Sequence, residues 1–158
     1  MYNCAIFDRE RGQLENISPY IWQGETSTAY NAWSYCTTNI FKKPKIIAWN
    51  LLDVISKNGC FVLNLGPKAD GTFCEQEKNI VAEIGAWTKK NAEAIWDTQP
   101  YKVFGEGKKQ KAGSFNEHCS YTSKDYRFTC KTGVVYAFAL KPKGRSEFKI
   151  KSLADSMD

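Results

Sequence analysis

Histidine is almost missing from this sequence, because its 158 residues include only His118. The six cysteines stand at positions 4, 36, 60, 74, 119 and 130, and no two of them have the CxxC spacing. Zinc sites are built mainly from cysteine and histidine at short spacings. The sequence therefore argues against a zinc centre, and we expect neither a metal nor another cofactor.

Long apolar runs are also missing. The most apolar stretch is interrupted by Asn50, Asp53 and Lys57, whereas a membrane-spanning helix needs about 20 consecutive apolar residues. Met1 leads directly into a short apolar segment, without the charged and apolar regions of a signal peptide. We therefore expect no membrane span and no signal peptide in these residues.

Charge is distributed unevenly along a chain whose 42% hydrophobic and 14% aromatic content favours a packed domain. Residues 1–100 contain 10 Lys or Arg and 11 Asp or Glu, whereas residues 101–158 contain 12 and 6, so net charges of −1 and +6 sum to +5. A basic tail can attract polyanions such as nucleic acid or sulfated glycans. Its lysines are scattered among strand-like segments, so we favour a solvated sheet face and expect no nucleic-acid partner.

The middle of the chain predicts a helix, a strand and a second helix. Pro44–Asn58 is predicted as helical, with Gly59 as its left-handed C-cap. The continuous apolar run Cys60–Asn64 predicts a strand that is covered on both faces, in which Cys60 is a small buried residue. Glu75–Lys90 predicts the second helix, and Asn91 is expected to end it in the left-handed conformation.

The amino-terminal part predicts two short strands, Tyr2–Phe7 and Asn31–Cys36, separated by an irregular segment over Gln13–Thr28. The first strand ends at a charged cluster, Asp8 to Gly12. Parallel α/β proteins keep their chemistry at the carboxyl ends of their strands. From the charge pattern alone, however, a solvated loop is the favoured interpretation of this cluster.

The carboxyl-terminal part consists of short apolar runs separated by glycines, which is typical of an antiparallel sheet and suggests a sandwich. Cys119 and Cys130 lie in neighbouring strand-like segments and could pair in an oxidising compartment. The predicted strands cover residues 101–104, 126–130, 134–140 and 148–150.

The predicted elements are too few for a complete domain of either kind. A closed (β/α)8 barrel needs eight strands, and the first half of the chain offers about three. We therefore expect an α/β plus all-β chain that is an internal or carboxyl-side piece of a larger protein, or an unusual truncation.

Several ordered motifs together resemble the retaining α-L-fucosidase family of glycoside hydrolases. Each has suitable spacing from the next, which makes the set more specific than any single string. The motifs are FDRERG at 7–12, SPYIWQGETS at 18–27, AWSY at 32–35, SKNGCFVLNLGPKADG at 56–71 and EIGAWTKKNAEAIWDTQPY at 83–101.

The resemblance implies a fold, since the family has an eight-stranded catalytic (β/α) barrel followed by a β-sandwich. Residues 1–98 would be the carboxyl-terminal portion of the barrel, and residues 99–158 would be part of the sandwich. The implied substrate is a fucosylated glycan, and the upstream part of the barrel is a further possible partner. A parent protein of this family would be secreted, periplasmic or lysosomal.

The resemblance also implies site residues. Retaining enzymes use a nucleophile and a separate acid/base, with carboxyl groups about 5 Å apart. Glu10 matches the acid/base of the family branch that has an ERG motif, and Asp8 is the second choice, expected to point to the other side of the strand. Trp33 matches an aromatic that lines the pocket for the fucose methyl group, and Trp22 matches a second pocket residue. The aspartate nucleophile would lie on an earlier strand, so we expect the chain alone to be inactive.

Two other functions fit the sequence. One is a non-catalytic carbohydrate-binding or scaffold protein derived from such an enzyme, which would bind through exposed tryptophans. The other is a polyanion-binding β-module that uses the basic tail. Salt-insensitive glycan binding would favour the first, and binding that collapses with salt would favour the second.

Overall fold

The first half of the chain forms a three-stranded parallel sheet in the order β1-β2-β3. The structure, a computed structural model, describes residues 5–118, 120–142, 144 and 146–156. Because the strands are parallel, their carboxyl ends meet at one edge, which we call the carboxyl rim and which begins at Glu10, Ser27 and Asn64. The strands are β1 (Phe7–Glu10), β2 (Trp22–Ser27) and β3 (Gly59–Asn64).

Three helices belong to this half of the chain. They are α1 (Pro44–Ile55), α2 (Glu75–Lys90) and the short α3 (Ala92–Ile95). Helix α1 contacts β3 of the parallel sheet, whereas α2 packs against α1, and α3 packs against β5 (Tyr126–Lys131) of the second half. Helix α1 buries Ile47 and Val54 completely. None of the described helices is both long enough and apolar enough to cross a membrane.

The second half forms a three-stranded antiparallel sheet in the order β4-β5-β6. A 3-10 helix (Lys151–Ser156) follows it, and both the amide and the hydroxyl of Ser152 donate to Glu106 Oε2 over 2.9 Å. The strands are β4 (Gln99–Glu106), β5 (Tyr126–Lys131) and β6 (Val134–Ala139).

The two halves share one hydrophobic core. Leu52 of α1 packs with Tyr121 and Leu140 of the second half, and all three side chains are buried. Trp49 extends the contact, because its indole Nε1 donates to the Leu140 carbonyl over 2.7 Å. The interface is therefore apolar at its centre.

A buried ion-pair network crosses the same interface. Asp53 on α1 accepts from Arg127 Nε on β5 and from Lys57 Nζ, each over 2.6 Å. The Lys57 ammonium and the Arg127 guanidinium also lie 4.5 and 5.3 Å from the centre of the Phe104 ring. The two cations therefore depend on the carboxylate of Asp53 for charge compensation.

The structure corrects the predicted elements between the first strand and α1. The segment over 13–28 is not wholly irregular, since Trp22–Ser27 forms the central strand of the sheet, whereas Asn31–Cys36 is not a strand. Gly24 is a packing position, because a Cβ there would approach the Trp22 ring to 3.1 Å. The described strand β1 extends into the charged cluster as far as Glu10, while residues 2–4 lie outside the described part.

Both predicted left-handed positions are wrong by one or more residues. Helix α1 ends at Ile55 and not at Asn58, and Asn58, with φ of 70°, takes the left-handed conformation in place of Gly59, since asparagine tolerates it. Gly59 instead leaves room for the Trp22 ring, which a Cβ would approach to 2.7 Å. After α2 the chain continues into α3, so Asn91 has φ of −105° and Asp97 takes φ of 58°.

Three predictions about strands and cysteines also need correction. Strand β3 is not covered on both faces, since Cys60 and Val62 are exposed. The segment 148–150 is not a strand, because the chain runs into the 3-10 helix instead of pairing with the sheet. Cys130 is a free thiol, and Cys119, its suggested partner, lies outside the described residues.

Candidate active site

Glu10 and Trp33 lie together at the carboxyl rim. Glu10 is the last residue of β1, and Trp33 belongs to the loop that follows β2. The indole Nε1 of Trp33 donates a hydrogen bond to Oε1 of Glu10 over 2.9 Å, and both side chains are half-buried. A carboxyl group and an aromatic ring are thus held at one place, which allows acid chemistry beside an apolar surface.

The turn after β3 holds the loop that carries Trp33. The side-chain amide of Asn64 donates to the Trp33 carbonyl over 2.6 Å. Gly66 lets the same loop come close, because a Cβ at this position would lie 2.4 Å from the Tyr35 amide nitrogen. Asn64 and Gly66, at the end of β3 and in the turn that follows it, therefore support the loop that carries Trp33.

Arg11 fixes the Trp33 loop from the other side. Its backbone has φ of 46°, which turns the side chain into the protein, where it is 5% exposed. The guanidinium donates to the carbonyls of Tyr30 over 2.6 Å and Ala32 over 2.9 Å. Its central carbon lies 4.6 Å from the centre of the Trp33 ring, which is a cation–π contact.

Three carboxyl groups share the sheet face that carries Glu10. Glu25 is the register partner of Glu10, and Asp8 lies two residues before Glu10, so their side chains fall on one face. The expectation that Asp8 points to the opposite side of the strand from Glu10 is therefore wrong. Gln23 on the same face donates to Asp8 Oδ1 over 3.0 Å.

Glu25 has a raised pKa at this position. Burial, followed by the negative charges of Asp8 and Glu10, raises the pKa of Glu25 above its ordinary value of 4.5. A carboxyl group whose pKa is raised holds a proton at higher pH, as a general acid must. The raised pKa marks Glu25 as a further titratable group beside Glu10, one that the sequence motifs did not indicate.

Trp22 lies away from this pair. It is the first residue of β2, at the amino end of the sheet, and its side chain is 1% exposed. Its indole Nε1 donates to the Lys57 carbonyl over 2.9 Å. The structure therefore brings Trp33, and not Trp22, together with Glu10, and in this chain Trp22 packs between sheet and helix.

Arg11 and Glu25 were hidden in the sequence for different reasons. In WQGETS, polar residues recur at every second position, Gln23 and Glu25, which is typical of a strand. Gly24 between them obscures this pattern, because an isolated glycine is also typical of a turn. Arg11 lay within the recognised charged cluster, but only the three-dimensional structure shows its burial. No group of three or more possible metal ligands occurs in the part of the chain that the structure describes.

The fold and the rim define an α/β protein with a carboxylate-and-tryptophan site at the carboxyl ends of parallel strands. The family model described as alpha-L-fucosidase matches residues 2–93. The chain therefore belongs to the alpha-L-fucosidase family.

Curated relatives agree with this assignment. Tissue alpha-L-fucosidase of Mus musculus is 27% identical over 111 residues, covering 68% of this chain and 24% of that protein. Plasma alpha-L-fucosidase of Homo sapiens is 24% identical over 143 residues, covering 89% and 27%. This chain thus spans about a quarter of the length of these relatives.

Two solved structures share the fold. Thermotoga maritima alpha-fucosidase in complex with fucose has a TM-score of 0.65 and 24% identity, covering 79% of this chain and 26% of that one. Alpha-L-fucosidase isoenzyme 1 from Paenibacillus thiaminolyticus has a TM-score of 0.69 and 22% identity, covering 85% and 29%. At these identities the likeness concerns the fold alone.

Proposed function

We propose that this chain carries the acid/base part of a retaining α-L-fucosidase site, which hydrolyses terminal α-linked fucose from glycans. Glu10 protonates the leaving oxygen and then activates water, and Trp33 contacts the apolar face of the sugar. The observation that carries this proposal is the 2.9 Å hydrogen bond between the Trp33 indole and the Glu10 carboxylate. Family membership supplies the substrate class.

Trp33 has two roles in this proposal. Its indole N–H orients the Glu10 carboxylate, and its ring is a surface on which the apolar side of a pyranose can stack. Arg11 covers part of the ring at 4.6 Å, so the sugar would approach from the remaining free surface. Glu25, whose raised pKa keeps its proton to higher pH, stands next to Glu10 as a second proton carrier.

A retaining mechanism also needs a nucleophilic carboxylate about 5 Å from the acid/base. In our proposal an aspartate outside these 158 residues supplies it, and the purified chain does not turn over substrate. The parallel sheet is then the last part of a (β/α) barrel, and residues 99–158 are part of the following sandwich. Exposed apolar side chains on β1 and β3 are consistent with further parts of a barrel covering both faces of the sheet: Phe7 is 44% and Val62 is 39% exposed.

Two experiments on the purified chain test this proposal. The first is an assay with an aryl α-L-fucoside, in which we expect no turnover; turnover that Glu10→Gln abolishes would contradict the missing-nucleophile proposal. The second is a titration with L-fucose followed by NMR, in which Trp33→Ala should abolish binding. Trp96→Ala is the matched control, since Trp96 is 59% exposed and lies outside the rim.

A non-catalytic carbohydrate-binding or scaffold role is the second candidate. It is favoured by exposed rings away from the rim, among them Trp96 and Tyr20, which is 63% exposed. In that case Trp96→Ala, and not Trp33→Ala, would weaken glycan binding. Binding that disappears as salt is raised would instead indicate a polyanion site in the basic tail.

A further inference from the structure

A loop of the second half docks against the end of β1. Gln13 and Gly113 exchange backbone hydrogen bonds of 3.3 and 3.0 Å, and the Phe115 amide donates to the Glu10 carbonyl over 3.2 Å. The contact is close, since a Cβ at Gly12 would lie 2.0 Å from the Gly113 carbonyl oxygen. The segment 113–117 is therefore attached to the backbone of the candidate acid.

This docking brings the carboxylate of Glu117 beneath the carboxyl rim. The side chain is 4% exposed and accepts from Lys42 Nζ over 2.8 Å and from Arg11 Nη1 over 3.4 Å. The hydroxyl of Thr26, near the end of β2, donates to its other oxygen. Glu117 thus joins two buried cations to the central strand.

The charges of this group depend on one another. Lys42 and Arg11 are 2% and 5% exposed, and burial of unpaired cations is strongly unfavourable. Burial lowers the pKa of Lys42, and the hydrogen bond and charge of Glu117 oppose that effect. Without Glu117 the two cations would repel each other in a dry environment and would have to move.

Movement of Arg11 would disturb the candidate site, because Arg11 contacts the loop that carries Trp33. Arg11 binds the Tyr30 and Ala32 carbonyls and lies against the Trp33 ring. Trp33 in turn donates to Glu10. The contacts therefore form a continuous path from Glu117 through Arg11 and Trp33 to Glu10.

We propose that Glu117 is a positioning residue of the candidate site, which holds Arg11 so that Trp33 is oriented toward Glu10. The second half of the chain thereby contributes to the geometry of a site whose other residues all lie in the first half. The role of Trp33 and Glu10 in sugar binding rests on the proposed function, whereas the positional effect of Glu117 does not.

The test uses the full 158-residue chain labelled with 15N, in which each tryptophan gives one indole N–H signal. Trp33→Phe assigns the Trp33 signal, and Glu10→Gln shows how far this signal moves when its acceptor loses its charge. We expect Glu117→Gln to move the Trp33 signal in the same direction, with weaker L-fucose binding. Glu147→Gln, which changes an exposed glutamate of the same half, should leave the signal in place.

Two other tryptophans report on the fold in the same spectra. The indoles of Trp22 and Trp49 donate to backbone carbonyls elsewhere, so their signals should remain unchanged in Glu117→Gln. A Trp33 signal that stays in place while these signals also stay would overturn the proposal. If Glu117→Gln does not fold, Glu117→Asp is the test, because aspartate keeps the negative charge but its side chain is one methylene shorter, so the carboxylate lies farther from Arg11. An unmoved Trp33 signal in that variant would equally overturn the proposal.

The outcomes separate this inference from the proposed function. If the unmodified chain fails to bind L-fucose but Glu117→Gln still moves the Trp33 signal, the proposed function loses support and the positioning role remains. If the chain binds L-fucose and the Trp33 signal does not respond to substitution of Glu117, the positioning role is overturned and the proposed function keeps its support.

Discussion

Glu10 and Glu25 are register partners on adjacent parallel strands, and their carboxyl groups interact on one face of the sheet. Together with Asp8 they concentrate negative charge beside the Trp33 indole. Such a cluster favours retention of a proton on one of its members. Of the three, Glu25 has a pKa that is raised by burial and by the charges of Asp8 and Glu10.

The first prediction concerns the proton on Glu25. Asp8→Asn removes a negative charge beside Glu25, so the pKa of Glu25 should fall toward its ordinary value of 4.5. Carboxyl 13C NMR would measure this shift. Asp70→Asn, in the exposed turn after β3, is the control and should leave the titration of Glu25 unchanged.

The same pKa has a consequence for stability. A carboxyl group whose pKa is raised on folding binds more protons in the folded state, so it stabilises the fold below the unfolded pKa. This stabilisation is lost as pH rises from about 4.5 through the raised value. Urea denaturation should show that Glu25→Gln removes this part of the pH dependence. An unaltered pH dependence would contradict a raised pKa of Glu25 in the folded chain.

Parts of the fold follow from the sequence pattern because they rest on local signals. Pro44 and Glu75 begin α1 and α2 as predicted, and the apolar run after Asn58 forms β3. The central strand was missed because Gly24 looks like a turn residue, although it serves to accommodate Trp22. A local sequence pattern does not show which side chain packs against a glycine.

The candidate site was predictable only in part. The family resemblance implies that Glu10 is the acid/base and that Trp33 lines the pocket for the fucose methyl group, and the structure shows a hydrogen bond between their side chains. Glu117 could not be found in this way, since it lies 106 residues from Arg11 along the chain. A contact between two such distant residues depends on how the two halves dock, which motif spacing does not describe.

The second prediction concerns the loop support at Gly66. Gly66→Ala places a Cβ 2.4 Å from the Tyr35 amide nitrogen, so the loop that carries Trp33 must shift. We expect loss of L-fucose binding and a displaced Trp33 indole signal. Gly85→Ala on α2 is the control, because nothing lies within 4 Å of its Cβ and alanine favours a helix by about 1 kcal/mol. An undisturbed Trp33 signal in Gly66→Ala would refute the proposed support.

The third prediction concerns the buried ion-pair network between the halves. Asp53→Ala leaves Lys57 and Arg127 buried without their shared carboxylate, which should lower the free energy of unfolding by about 3–5 kcal/mol. Urea denaturation measures this loss. Glu75→Gln breaks the exposed pair with Lys78 and should have no measurable effect. Equal effects of the two substitutions would show that the network is not a principal link between the halves.

The most direct test of the central claim is the dependence of hydrolysis on the leaving group in a longer protein that includes these residues and the upstream part of the barrel. Glu10→Gln should slow α-L-fucosides with poor leaving groups far more than activated aryl α-L-fucosides, because only the former need protonation. Glu25→Gln in the same protein should have the smaller effect. An equal loss for both substrate classes, or an unchanged rate in Glu10→Gln, would contradict the assignment of Glu10 as the acid/base.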